Sequence, residues 1–241
     1  MEDEQNNNSE EKNQFLIPAS IIVAGAIIAF AVFYSRGPAP VAGVKDNSVD
    51  QAKNSAAAAE VSKISAEDFV LGDKSAKVVF IEYGDYQCPF CKQFFQTVEP
   101  QIIDQYVKTG KVAFVWRDFA FLDGSPDGES HLAAEAARCA GEQNKFWEYH
   151  DELFRRQGQE NGGAFKADNL KKFATSLGLN RNNFDSCLDS RKYKKAVADS
   201  TQGGGVAGVN GTPASFISGK FISGAAAYSS FASEIDAALK K

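Results

Sequence analysis

The stretch VVFIEYGDYQCPFC, residues 78–91, decides how this chain is read. Val78 to Tyr83 form an apolar run of strand length, and a helical pattern begins directly after two cysteines spaced C-x-x-C. A strand that delivers such a pair to the start of a helix is the arrangement thiol redox chemistry needs. Unpaired N–H groups and the helix dipole stabilise a thiolate there, so Cys88 is expected to be acidic and reactive. The i, i+3 spacing brings Cys91 onto the same side of the first turn, within reach of a disulfide. Pro89 suits that turn, where a missing N–H costs nothing.

The chain has 241 residues, 44% of them hydrophobic, and a formal net charge of −5. That is enough for one well-buried domain with additional segments. No basic footprint is present, so nucleic acid is not an expected partner. The four cysteines, Cys88, Cys91, Cys139 and Cys187, permit two pairs without proving either. Their spacing does not resemble paired zinc knuckles, and no metal or other cofactor is expected beyond a redox-active cysteine pair. His131 and His150, the two histidines, fall on helical stretches and read as packing or surface residues. Trp147, with Phe146 and Tyr149, reads as core more readily than as a peptide groove.

Residues 15–34, FLIPASIIVAGAIIAFAVFY, carry no charge over 20 positions. As a helix that length crosses a hydrocarbon layer of about 30 Å. The preceding tail, residues 1–14, is acidic, and no small-x-small cleavage site follows, which favours an uncleaved membrane anchor over a removed signal. Basic residues do not orient the span. All four cysteines lie C-terminal to it; if they form disulfides, that side is extracytoplasmic. Residues 35–62 read as a flexible linker and residues 63–241 as the globular head.

Within the head the pattern predicts a strand at 77–83 and a helix from 89 to about 108, kinked at Glu99-Pro100. A strand at 111–117 follows, then a largely helical insertion over about 125–200. Strands at 214–217 and 220–223 and a helix at about 228–240 close the chain. This order implies an α/β fold with one mixed sheet. Gly203-Gly204-Gly205 predicts added flexibility ahead of Thr212-Pro213, with consequences for substrate affinity.

VVFIEYGDYQCPFC, the later GVNGTP before a strand, AAEAARCAGEQNKFWEYHDELF and NNFDSCLDSRKY together resemble the DsbA-like branch of the thioredoxin superfamily, in its membrane-anchored form, over about residues 66–241. The resemblance implies a thioredoxin-like fold with a helical subdomain inserted in it. It implies that Cys88 is the nucleophilic, more exposed sulfur and Cys91 its buried partner. Pro213 after Thr212 would be a cis-proline facing the pair, leaving the Thr212 backbone free to pair with an extended substrate, with Phe90 beside it. Glu82, six residues before Cys88, matches a buried carboxylate that relays protons to Cys91; the residues alone also allow a solvent-facing strand end. Cys139 and Cys187 sit on apolar helical faces as core residues would, and the resemblance implies a structural disulfide between them.

The implied activity is thiol-disulfide exchange that introduces disulfides into cysteine-containing exported proteins, with a membrane redox partner reoxidising the pair. Reduction or isomerisation uses the same residues in reverse. A non-catalytic anchored binding module and a four-thiolate metal protein are the remaining classes. Phe90 is a departure, because the strongest oxidants of the family carry a histidine there; a milder oxidant is expected.

Overall fold

The computed structural model describes residues 62–241. The acidic tail, the proposed anchor at 15–34 and nearly all of the linker lie outside the described residues. Among the described residues no helix is long and apolar enough to cross a membrane.

Five strands form one mixed sheet in the order β1-β3-β2-β4-β5. They are β1 (Phe69–Leu71), β2 (Val78–Gly84), β3 (Val112–Asp118), β4 (Ala214–Ile217) and β5 (Lys220–Ser223). β2 runs parallel to β3 with Phe80 opposite Phe114, and antiparallel to β4 with Glu82 opposite Ser215. β4 turns into β5 through Ser218 and Gly219, whose φ values of 45° and 92° are those a two-residue hairpin with the twist of the strands requires. β1 was not anticipated. Its three residues are too few to show a periodicity, and it exists by pairing antiparallel with β3.

The crossover from β2 to β3 is helical, in three pieces. α1 (Pro89–Thr97) ends at Val98, α2 (Glu99–Ile102) carries Pro100 in its first turn, and a π-helical turn (Ile103–Val107) completes it. The break falls where Glu99-Pro100 predicts it, because proline cannot supply the N–H of a continuous helix. Between β3 and β4 the chain builds α3 (Glu129–Gly141), α4 (Phe146–Arg156), α5 (Ala167–Ser176), α6 (Arg181–Asp189) and α7 (Lys194–Val206). α8 (Tyr228–Leu239) follows the hairpin.

Phe80, Phe94, Phe114 and Phe231 are buried where α1 and α8 meet one face of the sheet. A second cluster joins the insertion to Trp116 and Tyr86 and includes His150, Tyr149 and Phe154 around α4. Trp147 packs there on Phe114 and His150, as a core residue. Cys139 on α3 and Cys187 on α6 form a disulfide with Cα atoms 5.9 Å apart and a sequence separation of 48. A loop of that size is worth roughly 4 kcal/mol by chain entropy. The buried Arg138–Asp118 ion pair, 2.6 Å, ties α3 to the end of β3.

The flexibility expected at Gly203-Gly204-Gly205 is corrected: α7 runs through all three. A Cβ at Gly204 would lie 2.8 Å from the Phe119 ring and 3.0 Å from that of Tyr83, whereas at Gly203 it would meet nothing. The missing side chain at Gly204 lets the helix approach those rings. Gly204→Ala should therefore lower the unfolding free energy by about 1–3 kcal/mol. Gly203→Ala, at an open helical position, should raise it by about 0.5–1 kcal/mol. Urea unfolding of both variants checks this pair; equal effects of the two substitutions would contradict the packing role.

Candidate active site

β2 ends at Gly84, and Asp85-Tyr86-Gln87 carry the chain to the first turn of α1. Cys88 is the N-cap residue, with extended backbone angles and no capping hydroxyl or carboxylate, and Pro89 follows in the first turn. The N–H groups of that turn are therefore left to the sulfur. Its loop is held closely. Cys88 N–H donates to Asp85 O at 3.0 Å, and Gln157 Nε2 donates to the carbonyls of Tyr86 (2.6 Å) and Cys88 (3.0 Å). The buried Asp85 carboxylate accepts from Gln87 N, Ser130 Oγ, Phe121 N and Leu122 N at 2.8–3.2 Å. Gln87 in turn exchanges hydrogen bonds with Asn161. Asp85, Gln87 and Gln157 had no sequence signal as site residues, since polar residues after a strand or a helix read as ordinary loop chemistry.

The two sulfurs are free thiols in unequal surroundings. Cys88 is 4% exposed and Cys91 0%, so Cys88 shows solvent only a sliver of surface. Opposite them the Thr212-Pro213 peptide bond is cis, and Cys88 Sγ lies 3.3 Å from Thr212 O. The Thr212 hydroxyl is buried and has no other partner, so it is available to the same sulfur. The Cys88 pKa is lowered to about 6, chiefly by the hydrogen bond from the Cys91 thiol; the Thr212 side chain and the N–H groups of Cys91 and Phe90 add to this against the cost of burial. Burial, and then the neighbouring Cys88, hold the Cys91 thiol well above its ordinary value. Phe90, 60% exposed, stands beside the pair as an apolar surface.

Glu82 lies on β2 behind the sulfurs. It is 1% exposed, and its Oε2 has no hydrogen-bond partner. Burial raises its pKa well above the carboxylate range, with Glu99 and then Cys88 adding to the rise. A solvent-facing strand end is thereby ruled out. Glu99, on α2, is a second buried acid, 3% exposed, its pKa raised by burial and then by Asp151. Of the two histidines, His131 contacts Asp123 at 3.2 Å and His150 is wholly buried among aromatic rings. His150 is held below the ordinary imidazole value by that burial.

A family model described as thioredoxin matches residues 65–237. The chain belongs to the thioredoxin family. The solved structure of oxidised BdbD from Bacillus subtilis is similar, at 26% identity with a TM-score of 0.67, over 73% of this chain and 94% of that one. The fold is also that of Wolbachia pipientis alpha-DsbA1, at 22% identity with a TM-score of 0.65, over 76% of this chain and 96% of that one. Among curated relatives, the antiporter NhaA 1 of Salinispora arenicola is 33% identical over 153 residues, 64% of this chain but 22% of that protein. A Rickettsia bellii protein provisionally named a protein-disulfide oxidoreductase is 29% identical over 139 residues, 58% of this chain and 52% of its own length. The chain thus spans about half or less of the curated relatives it matches. Its fold is the DsbA-like form of the thioredoxin fold.

Ultraviolet titration of the reduced protein should show one thiolate forming near pH 6. Cys91→Ala should move that midpoint upward, because it removes the strongest donor. An unfolded thiol titrates near 8.5, so between those values the unfolded reduced chain binds one more proton than the native one. The stability of the reduced form should therefore rise from about pH 6 to about 8.5, and this gain should be lost as the pH falls through 6. The oxidised form has no Cys88 titration, so the difference between the two forms' melting temperatures should change over that window. Parallel melting curves would contradict a thiolate at Cys88.

Proposed function

We propose that the chain is a thiol-disulfide oxidoreductase that introduces disulfides into exported proteins through Cys88 and Cys91. The observation that carries this reading is Cys88 itself: an acidic thiol at a helix start, 3.3 Å from the carbonyl of Thr212 beside a cis proline. With the pair oxidised, a substrate thiolate attacks Cys88 Sγ and the Cys88–Cys91 bond breaks. The electron pair leaves on Cys91, whose high proton affinity draws a proton at once. Glu82, also protonated by its burial, is the neighbour that supplies it. A second substrate thiolate then attacks the substrate sulfur of the mixed disulfide and expels Cys88 as its stabilised thiolate. The substrate has lost two electrons and the pair has gained them.

Thr212 and Pro213 form the wall against which an extended substrate segment would lie, and Phe90 offers it an apolar contact. The Rickettsia bellii relative's name supports the chemistry, and the Cys139–Cys187 disulfide supports an oxidising, extracytoplasmic location. In this reading residues 15–34 anchor the head to the cell membrane in a single pass, and a membrane protein reoxidises the pair. Phe90 favours disulfide reduction or isomerisation as the second reading. Without a histidine in the motif the thiolate loses one donor, and the pair becomes a weaker oxidant.

Equilibration with glutathione buffers tests both. The pair's potential should lie between the roughly −120 mV of DsbA and the roughly −270 mV of thioredoxin. Phe90→His should make it more oxidising. Cys88→Ser should abolish oxidation of a reduced, unfolded substrate protein, whereas a non-catalytic module would bind partners unchanged and show no turnover in either form.

A further inference from the structure

We propose that Glu99, His150 and Asp151, where α2 meets α4, form a binding site for one divalent first-row transition ion. Each residue offers a ligand atom, and the three atoms lie within 4.8 Å of one another. Glu99 comes from α2, and the adjacent His150 and Asp151 come from α4, so the site would join the crossover to the insertion. Two of the three are almost entirely enclosed, at 3% exposure for Glu99 and 0% for His150. Glu99 Oε2 has no hydrogen-bond partner, and His150 turns Nδ1 toward Asp151 Oδ1 at 3.3 Å. Leaving an atom such as Glu99 Oε2 bare costs free energy that a ligand would recover.

The imidazole is fixed in place by rings on several sides, with Trp116, Phe154 and Trp147 at centroid distances of 4.8, 5.0 and 5.2 Å. Asp151 is the movable member. Its side chain is 39% exposed, with Oδ1 3.3 Å from His150 Nδ1 and Oδ2 3.2 Å from the exposed Arg155. Ligand atoms around a zinc ion stand roughly 3.3 Å apart, given metal–ligand bonds of about 2.0–2.2 Å. Rotation of Asp151 toward Glu99 would supply that contraction, with Arg155 swinging into solvent. A cavity of about 410 Å³ lined by Glu99, Asp151, Phe95, Pro100 and Ile103 provides the entry path and room for water ligands.

One imidazole with two carboxylates, and no sulfur, suits zinc or manganese. The free thiols of Cys88 and Cys91 would also bind such ions, so the test uses the full chain with the two joined as a disulfide. After chelator treatment it is dialysed against zinc, and in parallel against manganese, and the metal bound per chain is counted. One ion per chain is expected for at least one of the two metals. Glu99→Gln and Asp151→Asn, which keep the side-chain shapes, should each weaken it by more than roughly tenfold, the lower bound for losing a residue that only supports a ligand. Circular dichroism of the metal-free variants establishes that both are folded. Absence of stoichiometric binding for both metals would overturn the proposal. So would binding that both substitutions leave undiminished, as for an ion held by His131 and Asp123.

Discussion

A thiolate at neutral pH needs hydrogen-bond donors, and the start of α1 supplies them where Cys88 stands. Everything near the site serves that placement. Pro89 takes the position whose N–H would be wasted, and Cys88 caps the helix without a side-chain acceptor that would compete for the donors. Cys91 then plays two parts. As a thiol it donates to Cys88, and because it is buried it keeps that proton to donate. The asymmetry of the pair comes from a few ångströms of depth, since the two residues share a helix turn and differ in what surrounds them.

The insertion does more than enlarge the core. Gln157, at the end of α4, grips the carbonyls on either side of Gln87, and Asn161 grips the Gln87 side chain. Lys92 of α1 reaches back to the Gln157 carbonyl at 3.1 Å. The active-site turn is thus fastened to the insertion by hydrogen bonds to backbone and amide groups, with the Lys92 ammonium as the charged donor among them. Asp85, the one charge in the turn, is spent on four donors of its own neighbourhood. The disulfide ties α3 to α6 within the insertion, and the Arg138–Asp118 pair ties α3 to the end of β3, so the clamp rests on a stiff base.

Strands and helices of this head were legible because their apolar runs and breakers are local: β4 and β5 fall at the predicted residues, and Pro100 marks the break after α1. β1 was illegible, because three residues hold no period and only the β3 edge makes them a strand. Gly203-Gly204-Gly205 misled for a related reason. Glycine's local preference argues against a helix, but the close approach of α7 to Phe119 and Tyr83 is a tertiary fact that outweighs it. Among site residues, Cys88, Cys91, Glu82 and Pro213 announce themselves by a motif or its spacing. Gln157, Glu99 and His150 do not, since their partners lie far away in sequence and each looks ordinary within its helix.

Behind the sulfurs the chemistry changes sign. The front of the motif is lined by donors and an apolar phenylalanine, whereas the back carries Glu82 and then Glu99, both buried and both incompletely hydrogen-bonded. Two carboxyl groups at that depth cannot both be charged without compensation, because each raises the cost of ionising the other. The packing of β2 against α1 and α2 therefore disfavours the charged form of Glu82. In the proposed exchange a neutral Glu82 delivers a proton to Cys91 and, lacking charge, does not oppose the thiolate of Cys88. Once Glu82 has given its proton up, its own charge opposes that thiolate, which favours prompt reprotonation. The proposed exchange thus has acid and thiolate charged in turn, through their different depths within one strand and one helix.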